Sequence, residues 1–286
     1  MSLPKISVVT PTFNQGKYIE ATLRSVHEQG YPNLEHIVID GGSTDGTVDV
    51  IRRFDDQIAF WSSEPDDGQT DALIKGFSKA TGDIFCWLNS DDLFVPTTLM
   101  EVAAFFDSHD EARFVYGDSQ WVDVDGHFIK PKREHRWNEF VWLNDHNFIP
   151  QPSTFWRAEI YREVGGLDIS FDLAMDADLW IRFAKVTAPI HVPRLWSSMR
   201  FYAEQKNTRM RKQSLEEMGR IRARYRLGSS PWADSIRSFG ARALRIALKL
   251  LSGGYPPAEL VRHLPRLVGR GSWETEQAES DQGSAH

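Results

Sequence analysis

The sequence predicts an α/β fold: a mostly parallel sheet flanked by helices, followed by a helical C-terminal extension. Three observations predict it. Short apolar runs alternate with amphipathic, capped segments from Ile6 to beyond Pro96. Hydroxyl or carboxylate side chains follow each of the first four apolar runs. From about Ser214 to Leu251 the pattern becomes two helical stretches rich in Arg.

Ile6 to Thr10 reads as a buried strand, Pro11 to Gly16 as a loop, and the next segment as a helix with Ile19, Leu23 and Val26 on one face. His36 to Asp40 is the second strand, and Gly41-Gly42-Ser43-Thr44-Asp45-Gly46 turns into a helix carrying Val48, Ile51 and Phe54. Ile58 to Trp61 reads as a strand, Thr70 to Ala80 as a helix, and Ile84 to Leu88 as a fully buried strand. A helix with Pro96 in its first turn follows. Alternating strands and helices imply a sheet covered on both faces.

Composition narrows the function. The 286 residues, 41% apolar and 26% charged, suffice for one large α/β domain or two small ones with a real core. A net charge of −7 argues against nucleic acid as partner, because phosphate-backbone binders present a basic face. The lone cysteine, Cys86, lies in an apolar run, so a disulfide is excluded and a reducing compartment is expected. The start lacks an apolar leader, and no run of about 18 apolar residues occurs, so a cytoplasmic protein is expected.

In parallel sheets ligands bind beyond the carboxyl ends of the strands. There this chain has Thr10-Pro11-Thr12, Asp40, Glu64-Pro65-Asp66 and Asn89-Ser90-Asp91-Asp92. Ser43, Thr44 and Asp45 are ordinary helix-capping types. Asp91 and Asp92 are different, because adjacent carboxylates leaving a buried strand repel and lose solvation unless a cation lies between them and a ligand. Mg²⁺ or Mn²⁺ suits such a position, since hard ions take one or two carboxylates plus substrate phosphates. The glycine turn at 41–46 lacks the G-x-G-x-x-G spacing and follows the second strand, which disfavours hydride transfer. With no phosphate-binding G-x-x-x-x-G-K-[ST] loop either, a nucleotide would be held through its base, ribose and metal-bound diphosphate, as a sugar donor is.

These motifs together resemble glycosyltransferase family 2, enzymes of the GT-A fold, from about Ile6 to Lys206. Ser7 to Asn14 resembles the family's first strand and base-contacting loop, which implies donor contacts from Thr10, Pro11, Thr12 and Asn14. His36 to Thr47 is similar to the second motif, whose Asp, here Asp40, contacts the base. Ser63 to Ala72, with Asp66 and Asp71, is similar to the third, although Ile74 stands where members often carry Asn. Thr81 to Asp92 is similar to the fourth and contains the D-x-D element: Asn89 replaces its first Asp, Asp91 is the implied metal ligand, and Ser90 and Asp92 flank the donor. The resemblance implies a nucleotide-sugar donor, UDP first with GDP and dTDP behind it. The implied acceptor is a saccharide or lipid-linked hydroxyl in polysaccharide or glycolipid biosynthesis.

Downstream, Met175-Asp176-Ala177-Asp178 opens a helix, where Asp176 would gain from the helix dipole. On sequence alone Asp176 is either a first-turn cap or a catalytic group. The resemblance to the family's E-D pair, with Met175 in place of Glu, implies a general base at Asp176, with Asp178 as the neighbouring alternative. One base and in-line displacement imply inversion at the anomeric carbon. Ser198 to Lys206 resembles a closing loop that often reads R-x-H, with Tyr202 at the His position. Arg200 or Lys206 either reaches phosphate or is a solvated surface charge.

The expected organisation is a catalytic domain at 1–207, with a nucleotide-sugar half at 1–95 and an acceptor half at 96–207. A helical extension at 208–270 and a disordered tail at 271–286 follow. The basic amphipathic segment 236–252 either meets a membrane from the cytoplasmic side or packs on the catalytic domain or on a second copy in a homodimer. A sugar-phosphate nucleotidyltransferase is the competing enzyme, but it would carry a Gly-rich basic loop where Thr12 to Lys17 has one Gly and one Lys. A dead sugar-binding module would be expected to lose the carboxylates present here.

Overall fold

The computed structural model describes residues 3–202, 205–226 and 230–253. The N-terminal half runs β1 (Ile6–Thr12), α1 (Ile19–His27), β2 (Leu34–Asp40), α2 (Thr47–Arg52), β3 (Phe60–Ser63), α3 (Gln69–Lys79) and β4 (Ile84–Trp87). Then come β5 (Leu93–Phe94), α4 (Thr98–Ser108), β6 (Phe114–Val122), β7 (Phe128–Lys132), α5 (Glu139–Asn144), β8 (Thr154–Arg157) and α6 (Ala158–Glu163). The chain continues through α7 (Met175–Val186), β9 (Ile190–Arg200), α8 (Lys206–Arg209), α9 (Arg211–Tyr225) and α10 (Pro231–Leu251).

One nine-stranded sheet has the order β3-β2-β1-β4-β8-β6-β9-β5, with β7 paired to β6. β1 pairs in parallel with β2 and β4, and β2 with β3. Beyond β4 the sheet is mixed, because β8 runs antiparallel to both β4 and β6 while β9 runs parallel to β6. The mostly parallel expectation thus describes the first half only. Short hydrophobic crossovers make the parallel half legible, whereas the second half is assembled by long-range pairing.

Several element boundaries differ from the sequence reading, three of them for a clear physical reason. β1 continues to Thr12, pairing Pro11 with Ile39 on β2, and the missing Pro11 N–H costs no ladder bond because β4 pairs only up to Val9. β3 starts at Phe60 because Ile58 is drawn into a small core with Ile19, Leu23, Val38 and Ile51. Pro96 precedes α4 rather than opening it, with Thr97 at the cap in a left-handed conformation.

The main core is aromatic. Trp87, Trp156 and Trp180 pack with ring centroids 5.3–5.6 Å apart, joined by Phe77 and Phe114. Cys86 is fully buried with its Sγ 3.8 Å from the Ser7 carbonyl of β1, and its thiol is pushed well up by that burial. The C-terminal helices belong to this body: α10 packs on α5, α9 on α7, and Ile221 and Ala241 are fully buried. The expected tail at 271–286, and the last part of the extension, lie outside the described residues.

Candidate active site

Two cavities open beyond the carboxyl ends of β1, β2 and β4. The first, of about 1600 Å³, is lined by Pro11, Thr12, Asn14, Asp66, Ser90 and Asp91, together with Tyr18 and Tyr202. The second, of about 1210 Å³, is lined by Asp176, Asn147, Gln151 and Trp87, with Leu215 and Lys249 from the C-terminal helices. They meet along Gln69, Asn89, Asp92, Trp121, Asp172 and Met199.

The first cavity is built by loops that brace one another. Asn14, held at φ 51°, accepts the Thr44 N–H through Oδ1 (3.0 Å), and its own N–H donates to Ser43 Oγ (2.7 Å). Thr12 Oγ1 is buried without a partner among the described residues. Asp66 lies against Gly41, where an added Cβ would come within 2.8 Å of Oδ2, so the close approach needs glycine. Burial raises the Asp66 carboxyl, outweighing the Gly68 N–H that it accepts.

Asp91 faces this cavity, and Tyr202 Oη donates to its Oδ2 at 2.8 Å. The Tyr202 ring lies 5.1 Å from that of Tyr18. Burial raises the Asp91 carboxyl, against the pull of the Tyr202 hydroxyl and the Arg200 charge. Asp92 is raised well above the carboxylate range by burial and by the charge of Asp91. Asp92 is buried and Asp91 half-buried, and a cation beside these two repelling carboxylates would relieve the cost, so the donor set fits a divalent metal at Asp91. A separate cluster of Asp123, Asp125 and His127 lies in the β6–β7 turn, whose Val124 borders the first cavity, and Asp123 Oδ1 accepts the N–H groups of Asp125 and His127.

Asp176 occupies the first turn of α7 deep in the second cavity. Its Oδ2 accepts from Asn147 Nδ2 at 2.8 Å and its Oδ1 from the Ala177 N–H at 2.7 Å. Burial pushes this carboxyl up to about 6 despite those two donors. A carboxylate with that proton affinity, in a cavity beside the metal-type carboxylates, is suited to accept a proton near neutral pH. Asn147 was not legible as a site residue: a single Asn in the loop before Pro150 carries no pattern.

Five expected site residues line neither cavity. Thr10 is buried with Oγ1 against His36 Nε2 (3.0 Å), because β1 runs on to Thr12 and leaves Thr10 two residues short of the rim. Asp40 is fully buried beneath the glycine turn, accepting the N–H groups of Gly42 and Ser43 and the Ser63 hydroxyl. It shapes the turn rather than presenting an oxygen to the cavity. Asp71 sits on the outer face of α3, paired with Lys75 at 3.0 Å. Asp178, two residues past Asp176, falls on the other side of α7 and pairs with Arg182 at 2.8 Å. Arg200 is buried behind the cavity wall, its guanidinium over Tyr18 (5.2 Å) and donating to the Val124 carbonyl (2.8 Å). Lys206 does line the first cavity, paired with Asp172 at 2.7 Å.

Comparison with known proteins agrees with this geometry. The profile of glycosyl transferase family 2 matches residues 7–163. An uncharacterized glycosyltransferase of Mycobacterium tuberculosis is 30% identical over 193 residues, 67% of this chain and 73% of its own. A PGL/p-HBAD biosynthesis glycosyltransferase of the same species is 30% identical over 203 residues, covering 67% and 76%. Among solved structures, S. aureus TarS in complex with UDP superposes with TM-score 0.61 at 18% identity, over 83% of this chain and 70% of that one. The mannosyltransferase PcManGT from Pyrobaculum calidifontis, in complex with GDP-Man and Mn²⁺, gives 0.60 at 20% identity over 93% and 81%. These structures share the fold, and the sequence matches carry the kinship: the chain belongs to glycosyltransferase family 2.

Proposed function

We propose that this chain is an inverting, metal-dependent glycosyltransferase that moves a sugar from a nucleotide-sugar donor, UDP-linked first, to an acceptor hydroxyl. The observation that carries the reading is the pair of joined cavities, with Asp91 in one and Asp176 in the other. Nucleotide and diphosphate fill the first cavity, where the unpartnered Thr12 hydroxyl is available to them. The acceptor enters the second, where the Gln151 Oε1, buried and unpartnered among the described residues, awaits a donor. Asp91 would hold the divalent ion, which when bound would neutralise charge on the departing diphosphate. The acceptor oxygen attacks the anomeric carbon, its proton passes to Asp176, and the bond to the diphosphate breaks. Displacement from the opposite face inverts the anomeric configuration. The GDP-Man and UDP complexes of proteins with this fold support a nucleotide-sugar donor. The PGL/p-HBAD biosynthesis relative supports a glycolipid or polysaccharide setting.

The acceptor reading extends to a membrane surface. Among the described residues no helix is long and apolar enough to cross a bilayer. On α10, however, Trp232, Ile236, Phe239, Leu250 and Leu251 are exposed along the outer face. Residues 206–253 hold twelve Lys and Arg against three Asp and Glu, in a chain of net charge −7. An apolar stripe within a basic segment suits an anionic lipid surface met from the cytoplasmic side. Lys249 of the same helix lines the second cavity, so a lipid-linked acceptor would reach Asp176 from that side.

Calorimetric titration of UDP, GDP and dTDP, with Mn²⁺ or with EDTA, tests the donor site. Binding that requires both the metal and Asp91, lost in Asp91→Ala, supports it, and binding indifferent to both refutes it. Asp176→Asn should retain nucleotide binding and lose turnover. Co-sedimentation with vesicles containing phosphatidylglycerol, compared with pure phosphatidylcholine, tests the lipid face. Loss of binding in Trp232→Ser with Phe239→Ser supports it, whereas a stable dimer that ignores vesicles would replace the lipid with a second copy.

A further inference from the structure

The segment that leads into the Asp176 helix is held from another part of the chain. Glu217, on α9, is buried, and its Oε2 accepts three backbone N–H bonds, from Asp172 (3.1 Å), Leu173 (2.8 Å) and Ala174 (2.9 Å). Gln213, one turn earlier on α9, donates to Oε1 at 3.1 Å. Asp172, Leu173 and Ala174 are the last three residues before α7, and all three line the second cavity, Asp172 lining the first as well. A carboxylate set against successive N–H groups at a helix start gains charge-assisted hydrogen bonds and the favourable end of the helix dipole. The helix itself begins with Met175, so this carboxylate of the C-terminal extension acts on it through residues 172–174.

We propose that Glu217 is a positioning residue: it fixes residues 172–174, and through them the direction in which Asp176 projects into the acceptor cavity. This rests on the reading of Asp176 as the base. It makes the C-terminal extension part of the active site rather than an appendage. The three N–H donors hold Glu217 ionised against its burial, and its charge adds to the burial that raises the Asp176 carboxyl. Removing that charge therefore changes Asp176 in a way that a loss of packing alone would not.

Glu217→Gln keeps the size and removes the charge. Carbon-13 NMR titration of labelled Asp carboxyls, with the Asp176 signal assigned by its loss in Asp176→Asn, reads the base without substrate. Release of nucleoside diphosphate from UDP-glucose, UDP-N-acetylglucosamine or GDP-mannose with Mn²⁺, with water as acceptor, reads turnover. The expected result is an acidward shift of the Asp176 midpoint and a fall in kcat of about tenfold, with donor KM unchanged. An unchanged midpoint and kcat, with only the melting temperature lowered, would overturn the proposal. If Glu217→Gln does not fold, Gln213→Ala, which removes one hydrogen bond from Glu217 and leaves its charge, should lower kcat with donor KM unchanged and the Asp176 midpoint in place, and an unchanged kcat refutes the proposal. An Asp176→Asn protein that turns over at the full rate would instead remove the base assignment. Inactive Asp176→Asn beside a fully active Glu217→Gln would remove this inference alone.

Discussion

The indole of Trp180 stacks on that of Trp87, with centroids 5.3 Å apart and planes 18° from parallel. Trp87 ends the strand that leads into Asn89–Asp92, and Trp180 lies one turn beyond Asp176 on α7. This contact joins the strand that leads to Asp91 and Asp92 to the helix that carries Asp176. Trp180→Ala should cost about 3–5 kcal/mol of stability, from lost burial and the cavity left behind. Denaturant unfolding measures it, and a loss below about 1 kcal/mol would show that the pair is not structural.

Asp176, raised to about 6, must be ionised to accept a proton, so turnover should fall as pH drops through that value. Asn147 donates to the ionised form and lowers its proton affinity. Asn147→Ala should therefore move the acid limb of the pH–rate profile to higher pH. A limb that stays in place would mean that another group sets the profile.

Gly41 is the only residue type that lets Asp66 lie against the turn, since a Cβ would stand 2.8 Å from its carboxylate. Gly41→Ala should push Asp66 out of the first cavity and weaken nucleotide binding by about tenfold while leaving the fold intact. Calorimetry and circular dichroism together check this, and wild-type affinity would show that Asp66 does not touch the donor.

Near the start of β2, His36 is buried, with its Nε2 3.0 Å from Thr10 Oγ1 and its Nδ1 3.0 Å from His27 Nε2. Burial, aided by the neighbouring His27, lowers the His36 pKa well below the usual value of 6.5, and burial lowers His27 too. The folded state then binds fewer protons than the unfolded chain, so stability is full above about 6.5 and declines as pH falls below it. Urea unfolding at neutral pH and near pH 5 should show this decline, and His36→Gln should flatten it.

Much of this molecule was legible in the linear chain because its cause is local. β1, β2 and β4 are apolar runs, and polar residues follow them and β3 at the rim, so Thr12, Asp66 and Asp91 could be placed from strand ends alone. The same logic put Asp176 in the first turn of a helix. Adjacent positions could not be told apart in this way. Asp40 ends β2 too, yet the glycine turn buries it, Thr10 is buried because β1 runs two residues further, and Asp178 falls on the far side of α7, where Arg182 takes it. Which carboxylate faces a cavity depends on register and on the partners that a fold supplies, and these come from distant parts of the chain. Asn147, Tyr202 and Glu217 reach the site only through long-range packing, across 29 residues to Asp176, 111 to Asp91 and 45 to Asp172. The sequence by itself determined the sheet's parallel half and its acidic rim, because hydrophobic period and chain direction are written residue by residue. Only the tertiary structure decided which acids meet in a cavity and what holds them, because burial and hydrogen-bond partners are properties of the assembled fold.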